Sequence, residues 1–405
     1  MDIKNIKSEF PIFKQKINGK PLVYLDSANS SQKPKVVIDR LSNFYETEFS
    51  NVGRSVHTLA VKATNRFEAT RDILKKYLNA QHREEIVFTK GATESINLVA
   101  SSFGEKYIKE GDEILITELE HHSNYVPWHF LRKKKGAVIK FAPVNNNGEV
   151  EIDEIKKLIS NKTRIIAITH ISNVTGVVIP IKKIVDIAKE KNIPVLVDGT
   201  QGAPHMQIDM QDLGCDFYVI SCHKMYGPNG LGVLYAKKKW LDDLPPYQGG
   251  GGMIDEVKKD NITFADSPTK FEAGTLQTAE VVAFAEAINF INRLGIKNIA
   301  AHENEILEYA YEKLKKNNSV NIIGSPKNRG SVLCFTIKGI HPHDIATILD
   351  DDGVAIRAGH HCCQILHDKL GIAATARASI GVYNTKEDID ILCKAIDNCK
   401  KVFQT

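Results

Sequence analysis

Six short apolar runs, separated by segments of amphipathic helical patterning, constrain this chain more than anything else in it. They are "EEIVFT" (84–89), "DEILIT" (112–117), "RIIAITH" (164–170), "IPVLVD" (193–198), "DFYVIS" (216–221) and "LGVLYA" (231–236). Strands that are apolar throughout, rather than in alternation, are buried on both faces, so helices must cover both sides of a mostly parallel sheet and the fold class is α/β. Beyond the glycine-rich loop 247–275 the pattern changes to two long helices, roughly 279–294 and 297–316. Strands "SVLCFTIK" (331–338) and "GVAIR" (353–357), with helices near 342–351 and 386–402, then predict a smaller α+β domain at the C-terminus. The expected division is an N-terminal arm over 1–20, a large domain over 21–295 and a small domain over 296–405. No internal repeat or low-complexity segment interrupts this order.

Composition narrows the function classes. A chain of 405 residues, 42% hydrophobic, can bury a large core in two domains. Its net charge of +4 comes from 53 basic and 49 acidic residues spread along the sequence, so no single-sign field points to nucleic acid or membrane. The runs Lys133–Lys135 and Lys237–Lys239 follow amphipathic segments and read as solvated faces. "MDIKNIKSEFPIF" does not read as a signal peptide, and no run of 18 apolar residues occurs. The expected location is the cytoplasm, where seven cysteines are thiols rather than a disulfide framework.

Polar residues gather where the apolar runs end, which is where an open α/β sheet places its ligand. "FTKGATESINLVA" (88–100) is a strand, a small-residue turn and a helix, an arrangement that suits an anion and also reads as an ordinary cap on Thr93. Asp198 ends a buried strand, where a carboxylate needs a cationic or hydrogen-bonded partner. Lys224 follows 224 − 198 = 26 residues later, one strand–helix–strand unit on, in the glycine-rich turn of "SCHKMYGPNG". His121, His170 and Asn173 also follow strands. An anion cradle, a strand-end carboxylate and a lysine in a turn are what pyridoxal 5'-phosphate needs: phosphate contacts, a partner for its ring nitrogen and an amine for a Schiff base.

With that site, the chain resembles the class V aminotransferase-like, fold-type I enzymes, and within them the SUF-type (group II) cysteine desulfurases. The match runs through "YLDSANSSQKP" (24–34), "NVGRSVHTLA", "KGATESINLVA", "EHHSNYVPW", "THISNVTG", "VDGTQG", "SCHKMYGPNG", "FEAGT", "RAGHHCC" and "ARASIGVYNT" (376–385). The resemblance implies a fold-type I pyridoxal-phosphate transferase that converts L-cysteine to L-alanine. In it Lys224 would hold the cofactor, His121 would stack on its ring, Asp198 would pair with the ring nitrogen, and Asn173 and Gln201 would hold the oxygen side. Phosphate would sit among Ala92, Thr93, Ser221 and His223, with Thr275 reaching in from the second subunit of a homodimer. Arg377 would bind the substrate carboxylate as a bidentate pair, with Arg357 lining the same pocket and Asn173 beside the substrate.

Within "RAGHHCCQI" (357–365) a zinc reading of His360, His361, Cys362 and Cys363 is poor, because contiguous residues lack the usual spacer, so no metal is expected. The resemblance makes Cys362 the nucleophile that takes sulfur as a persulfide for an acceptor protein of the SUF system, feeding iron–sulfur cluster assembly. With Lys224 removing the Cα proton and His121 handling protons on the substrate thiol, the three form the catalytic set. An extended loop here would turn Cys362 and Cys363 to opposite sides. Cys363 stands where alanine is common, Gly53 replaces a histidine before Arg54, and Cys222 replaces a small residue. A selenocysteine lyase would use the same site and could dispense with Cys362. A non-catalytic scaffold on this fold is expected to lose Lys224 or Asp198, and both are present.

Overall fold

Continuous apolar runs cannot lie at a surface, and all six stack into one sheet. In the computed structural model, which describes residues 1–53, 55–145, 147–324 and 328–403, the seven strands are β1 (Ile86–Thr89), β2 (Glu113–Thr117), β3 (Val138–Ala142), β4 (Thr163–Thr169), β5 (Val195–Asp198), β6 (Phe217–Ser221) and β7 (Gly232–Ala236). Their order is β1-β7-β6-β5-β4-β2-β3. The pairs from β6 to β3 are parallel, and β7 alone runs antiparallel to both neighbours. Strands β1, β2, β5, β6 and β7 are buried at every position. Helices on the two faces seal separate hydrophobic clusters: Ile86, Ile166, Val197 and Ile220 point into one, and Val87, Ile165, Leu196 and Val219 into the other.

A second, antiparallel sheet has the order β8-β9-β11-β10, formed by β8 (Val320–Ile323), β9 (Val332–Ile337), β10 (Arg357–Gly359) and β11 (Thr375–Ser379). Helices Ile296–Lys315, Pro342–Asp351 and Lys386–Phe403 cover it. Residues 353–357 do not form the single strand expected. Val354–Ala355 pairs in parallel with Val23–Tyr24, and the chain then shifts so that Arg357 begins β10 against β11. Val23 and Leu25 thereby share the core of the small sheet with Phe335, Ile345 and Leu392. Near the other end of the N-terminal segment, Phe10 packs edge-on against Tyr226, Phe290 and Tyr383. Among the described residues no helix is long and apolar enough to cross a membrane.

Candidate active site

The carboxyl ends of β4, β5 and β6 deliver Thr169, Asp198 and Ser221 to one rim of the sheet. Directly after β6 the chain makes a single 3-10 turn, Cys222–Lys224, which sets the lysine against that rim. The turn is clamped from the "SSQKP" segment, because the His223 carbonyl accepts from Ser31 N at 3.1 Å and from Lys33 Nζ at 2.8 Å. Opposite it starts the helix Ala92–Tyr107, whose first amide donates to Ser221 Oγ at 3.1 Å. That approach requires Gly232: a Cβ there would lie 2.5 Å from the Gly91 backbone, and Gly91 itself has φ of +155°. The result is a cavity of about 230 Å³ lined by Ala92, Thr93, His121, Asn173, Asp198, Gln201, Ser221, His223, Lys224, Arg357 and Cys362.

Two expected residues lie elsewhere. Arg377 is buried beside the cavity, its guanidinium donating to the Asn173 carbonyl and to Asp26 Oδ1, both at 3.2 Å, with Nε left without a partner. Thr275 is exposed and lines a different cavity with Gly53, Glu68 and Gly274. Arg54 lies outside the described residues. His170 is buried behind the site, with Nδ1 2.9 Å from the Tyr218 hydroxyl.

Burial sets the ionisation of these groups. The Lys224 amine is pushed down to about 8 by burial, aided by the guanidiniums of Arg377 and Arg357 and opposed by Asp198. Burial raises Asp198, against hydrogen bonds from Thr200, whose amide donates to Oδ1 at 3.0 Å. His121 is driven down to about 3 by burial and by Lys224, and its Nδ1 accepts the Ser123 amide at 3.1 Å. A backbone amide can only donate, so the neutral ring carries its proton on Nε2. Ser123 Oγ in turn meets Thr93 Oγ1 at 2.9 Å, tying the histidine to the helix N-terminus. His223 falls to about 4 through burial and the charges of Lys224 and Lys33.

The cysteine loop is not extended. His361 and Cys362 both take left-handed backbone angles, φ of 53° and 57°, so a turn rather than an extended segment leads into the two thiols. Cys362 lines the cavity, and Arg357 Nη2 approaches its sulfur at 3.6 Å while Nη1 donates to Asn29 Oδ1 at 3.1 Å. Cys363 is fully buried, its thiol donating to the carbonyls of Leu119 and Glu120 at 3.3 and 3.4 Å. Burial pushes that thiol well up. Among the described residues no group of three or more His, Cys, Asp or Glu is arranged to hold a metal ion.

Several supporting residues carried no signal of their own in the sequence. Glu120 is a buried carboxyl group accepting from Thr117 Oγ1 (2.7 Å), Asn124 Nδ2 (2.6 Å) and the Thr169 amide (3.1 Å), and burial raises it to about 8. Asp26, Asn29 and Lys33 all sit in "YLDSANSSQKP", a stretch recognised as a motif without roles for its members.

Residues 23–392 match the family model described as Aminotransferase class-V. A probable cysteine desulfurase of Staphylococcus epidermidis is 50% identical over 403 residues, which span 99% of this chain and 98% of that protein. A probable cysteine desulfurase of Halalkalibacterium halodurans is 47% identical over 403 residues, covering 100% and 99%. Among solved structures, the cysteine desulfurase CsdA (S-sulfonic acid) from Escherichia coli superposes with a TM-score of 0.92 at 36% identity, covering 99% of each chain. The apo structure of the cysteine desulfurase from Thermococcus onnurineus gives a TM-score of 0.93 at 34% identity, over 98% of each. With the family model matched along nearly its whole length, this chain belongs to the class-V aminotransferase family.

Proposed function

We propose that this chain is a pyridoxal 5'-phosphate-dependent cysteine desulfurase of the SUF type. It converts L-cysteine to L-alanine and leaves the sulfur as a persulfide on Cys362 for an acceptor protein in iron–sulfur cluster assembly. The observation that carries the reading is the convergence of the Lys224 amine, the Asp198 carboxyl and the Cys362 sulfur on one cavity.

The cavity fits the cofactor. Gln201 Oε1 is buried there with no hydrogen-bond partner, Asp198 is a buried carboxyl suited to a cationic ring N–H, and a helix N-terminus with Thr93 faces the position of a phosphate. Lys224 would hold the cofactor covalently, with His121 on the ring face, Asn173 and Gln201 on its oxygen side, and Ala92, Thr93, Ser221 and His223 at the phosphate. When bound, the cofactor supplies the electron sink that makes the substrate's Cα proton labile and weakens its C–S bond.

The residues then divide the work. Arg377 orients the substrate carboxylate, and Arg357 lines the same pocket with its guanidinium against the Cys362 sulfur. The Lys224 amine would take the Cα proton, a task suited to a group that ionises near 8. His121 offers a proton at Nε2 rather than a free lone pair, so it serves as a donor toward the substrate and as a flat face for the ring. The Cys362 sulfur attacks the substrate sulfur: the S–S bond forms as the C–S bond breaks, and the released electron pair ends in the methyl C–H bond of alanine, balanced by the one proton that the Cys362 thiol gives up.

The chain acts as a homodimer in the cytoplasm. Thr275 from the second subunit completes the phosphate site, a reading supported by its exposure in a separate cavity. Exposed apolar side chains suit a dimer contact: Val56 is 98% exposed, and Phe49 and Tyr45, with rings 5.3 Å apart, are 55% and 54% exposed. Purified protein given L-cysteine is expected to form alanine and, with a reductant, an equal amount of sulfide. Absence of alanine overturns the reading, and parallel rates on selenocysteine separate it from a lyase.

A further inference from the structure

The loop that presents Cys362 has an unfavourable backbone shape and is hydrogen-bonded by His122, a residue given no part in the reaction above. His361 and Cys362 are consecutive non-glycine residues in the left-handed region, a conformation that persists only where the surroundings over-determine it. The Cys363 amide closes the turn on the His360 carbonyl at 2.9 Å, and one neighbour meets the loop twice. The His122 amide donates to the Cys362 carbonyl at 2.7 Å, and the His122 ring Nε2 accepts the Gln364 amide at 3.2 Å. One residue thus grips the loop on both sides of Cys363. Gln364 opens the helix Gln364–Leu370, so its amide is one that no helical carbonyl can satisfy. Two further contacts complete the frame, from Asn173 Nδ2 to the His361 carbonyl at 2.7 Å and from the buried Cys363 thiol to the Leu119 and Glu120 carbonyls. The ring must be neutral to accept, and burial with the neighbouring His360 lowers its ionisation, in keeping with that role.

We propose that His122 is a positioning residue for the nucleophile: its ring nitrogen, acting through the Gln364 amide, fixes the turn that aims the Cys362 sulfur into the cavity. The proposal rests on Cys362 being the sulfur acceptor, and it deepens that reading by naming what orients the thiol.

The test uses the cofactor-loaded enzyme and two readouts: the rate at which iodoacetamide labels Cys362, followed by peptide mass spectrometry, and kcat with KM for cysteine. His122→Phe keeps the backbone amide and the ring shape but removes the acceptor. It is expected to label Cys362 about three- to tenfold faster, the size of one lost hydrogen bond, and to lose kcat by a similar factor with KM little changed. His122→Gln, whose Oε1 lies at the same reach as Nε2, is expected to restore both. Buried Cys363 reports on folding, because it stays unlabelled in an intact protein. Should His122→Phe unfold, His122→Asn keeps a polar side chain too short to reach Gln364 and is expected to show the same loss. Wild-type labelling and turnover in a folded variant lacking the acceptor overturn the proposal, as does a His122→Gln protein that behaves like His122→Phe. If Cys362 is not the nucleophile, Cys362→Ser retains turnover, an outcome that leaves the labelling comparison intact and so distinguishes the two failures.

Discussion

Arg357 and Arg377 stand directly opposite one another across the antiparallel pair of β10 and β11, yet they face different tasks. Arg357 reaches the Cys362 sulfur at 3.6 Å, and Arg377 holds the Asn173 carbonyl and Asp26 at 3.2 Å. Two guanidiniums with one nearby carboxylate leave positive charge to spare for a substrate carboxylate. Arg377→Met is therefore expected to lower kcat/KM for cysteine by about a hundredfold, mostly through KM, the scale of a lost charge-assisted pair. Arg357→Lys cannot span Asn29 and Cys362 with one ammonium, so its loss should fall on kcat. Steady-state kinetics of the two variants check the division, and an unchanged KM in Arg377→Met contradicts it.

Lys224 should control cofactor uptake through its lowered ionisation. Only the neutral amine adds to an aldehyde, and in this fold the amine ionises near 8 rather than at the ordinary lysine value of 10.5. The rate of reconstituting the apoprotein with pyridoxal 5'-phosphate should rise with pH to a midpoint near 8 and then level. A rate still climbing at pH 10 contradicts the assignment, as does a borohydride-trapped adduct retained in Lys224→Ala.

Asp198 is predicted to matter for chemistry more than for binding. Asp198→Asn keeps size and the Thr200 amide contact but loses the negative charge that would hold a ring nitrogen protonated. Turnover should fall by two orders of magnitude or more, about 3 kcal/mol in barrier, while cofactor absorbance remains. Near-normal turnover refutes the role.

Gly232→Ala tests the packing that builds the anion end of the cavity. Its Cβ would lie 2.5 Å from Gly91 backbone atoms, and the shift needed should weaken cofactor affinity and lower stability by about 1–3 kcal/mol. Equilibrium titration with cofactor and thermal melts of the apoprotein measure the two effects.

Much of this site was legible in the sequence because its residues end apolar runs. Asp198 and Ser221 close strands buried at every position, and Lys224 follows three residues after Ser221, so strand order alone brings them to one rim. β3 escaped notice because it lies at the sheet edge: Val138 is exposed and Lys140 reaches out to Glu113 at 2.8 Å, which breaks the apolar run. The pairing of Arg377 with Asp26 joins positions 351 apart and leaves no local trace. The turn at His361 and Cys362 was hidden for another reason. Local preference opposes left-handed histidine and cysteine, and tertiary contacts from His122, Asn173 and the Cys363 thiol support the turn.

In the proposed reaction sulfur leaves cysteine for Cys362 and no other thiol. Cys363 is adjacent in sequence, but it is fully buried, donates to two carbonyls and is pushed well up in ionisation, so it lacks both access and nucleophile. Mass spectrometry of peptides spanning 357–377 after treatment with L-cysteine decides the matter. A sulfur adduct on Cys362 in the wild type and in Cys363→Ser, with none in Cys362→Ser, is the expected result. An adduct mapped to Cys363 in Cys362→Ser with turnover retained would contradict it.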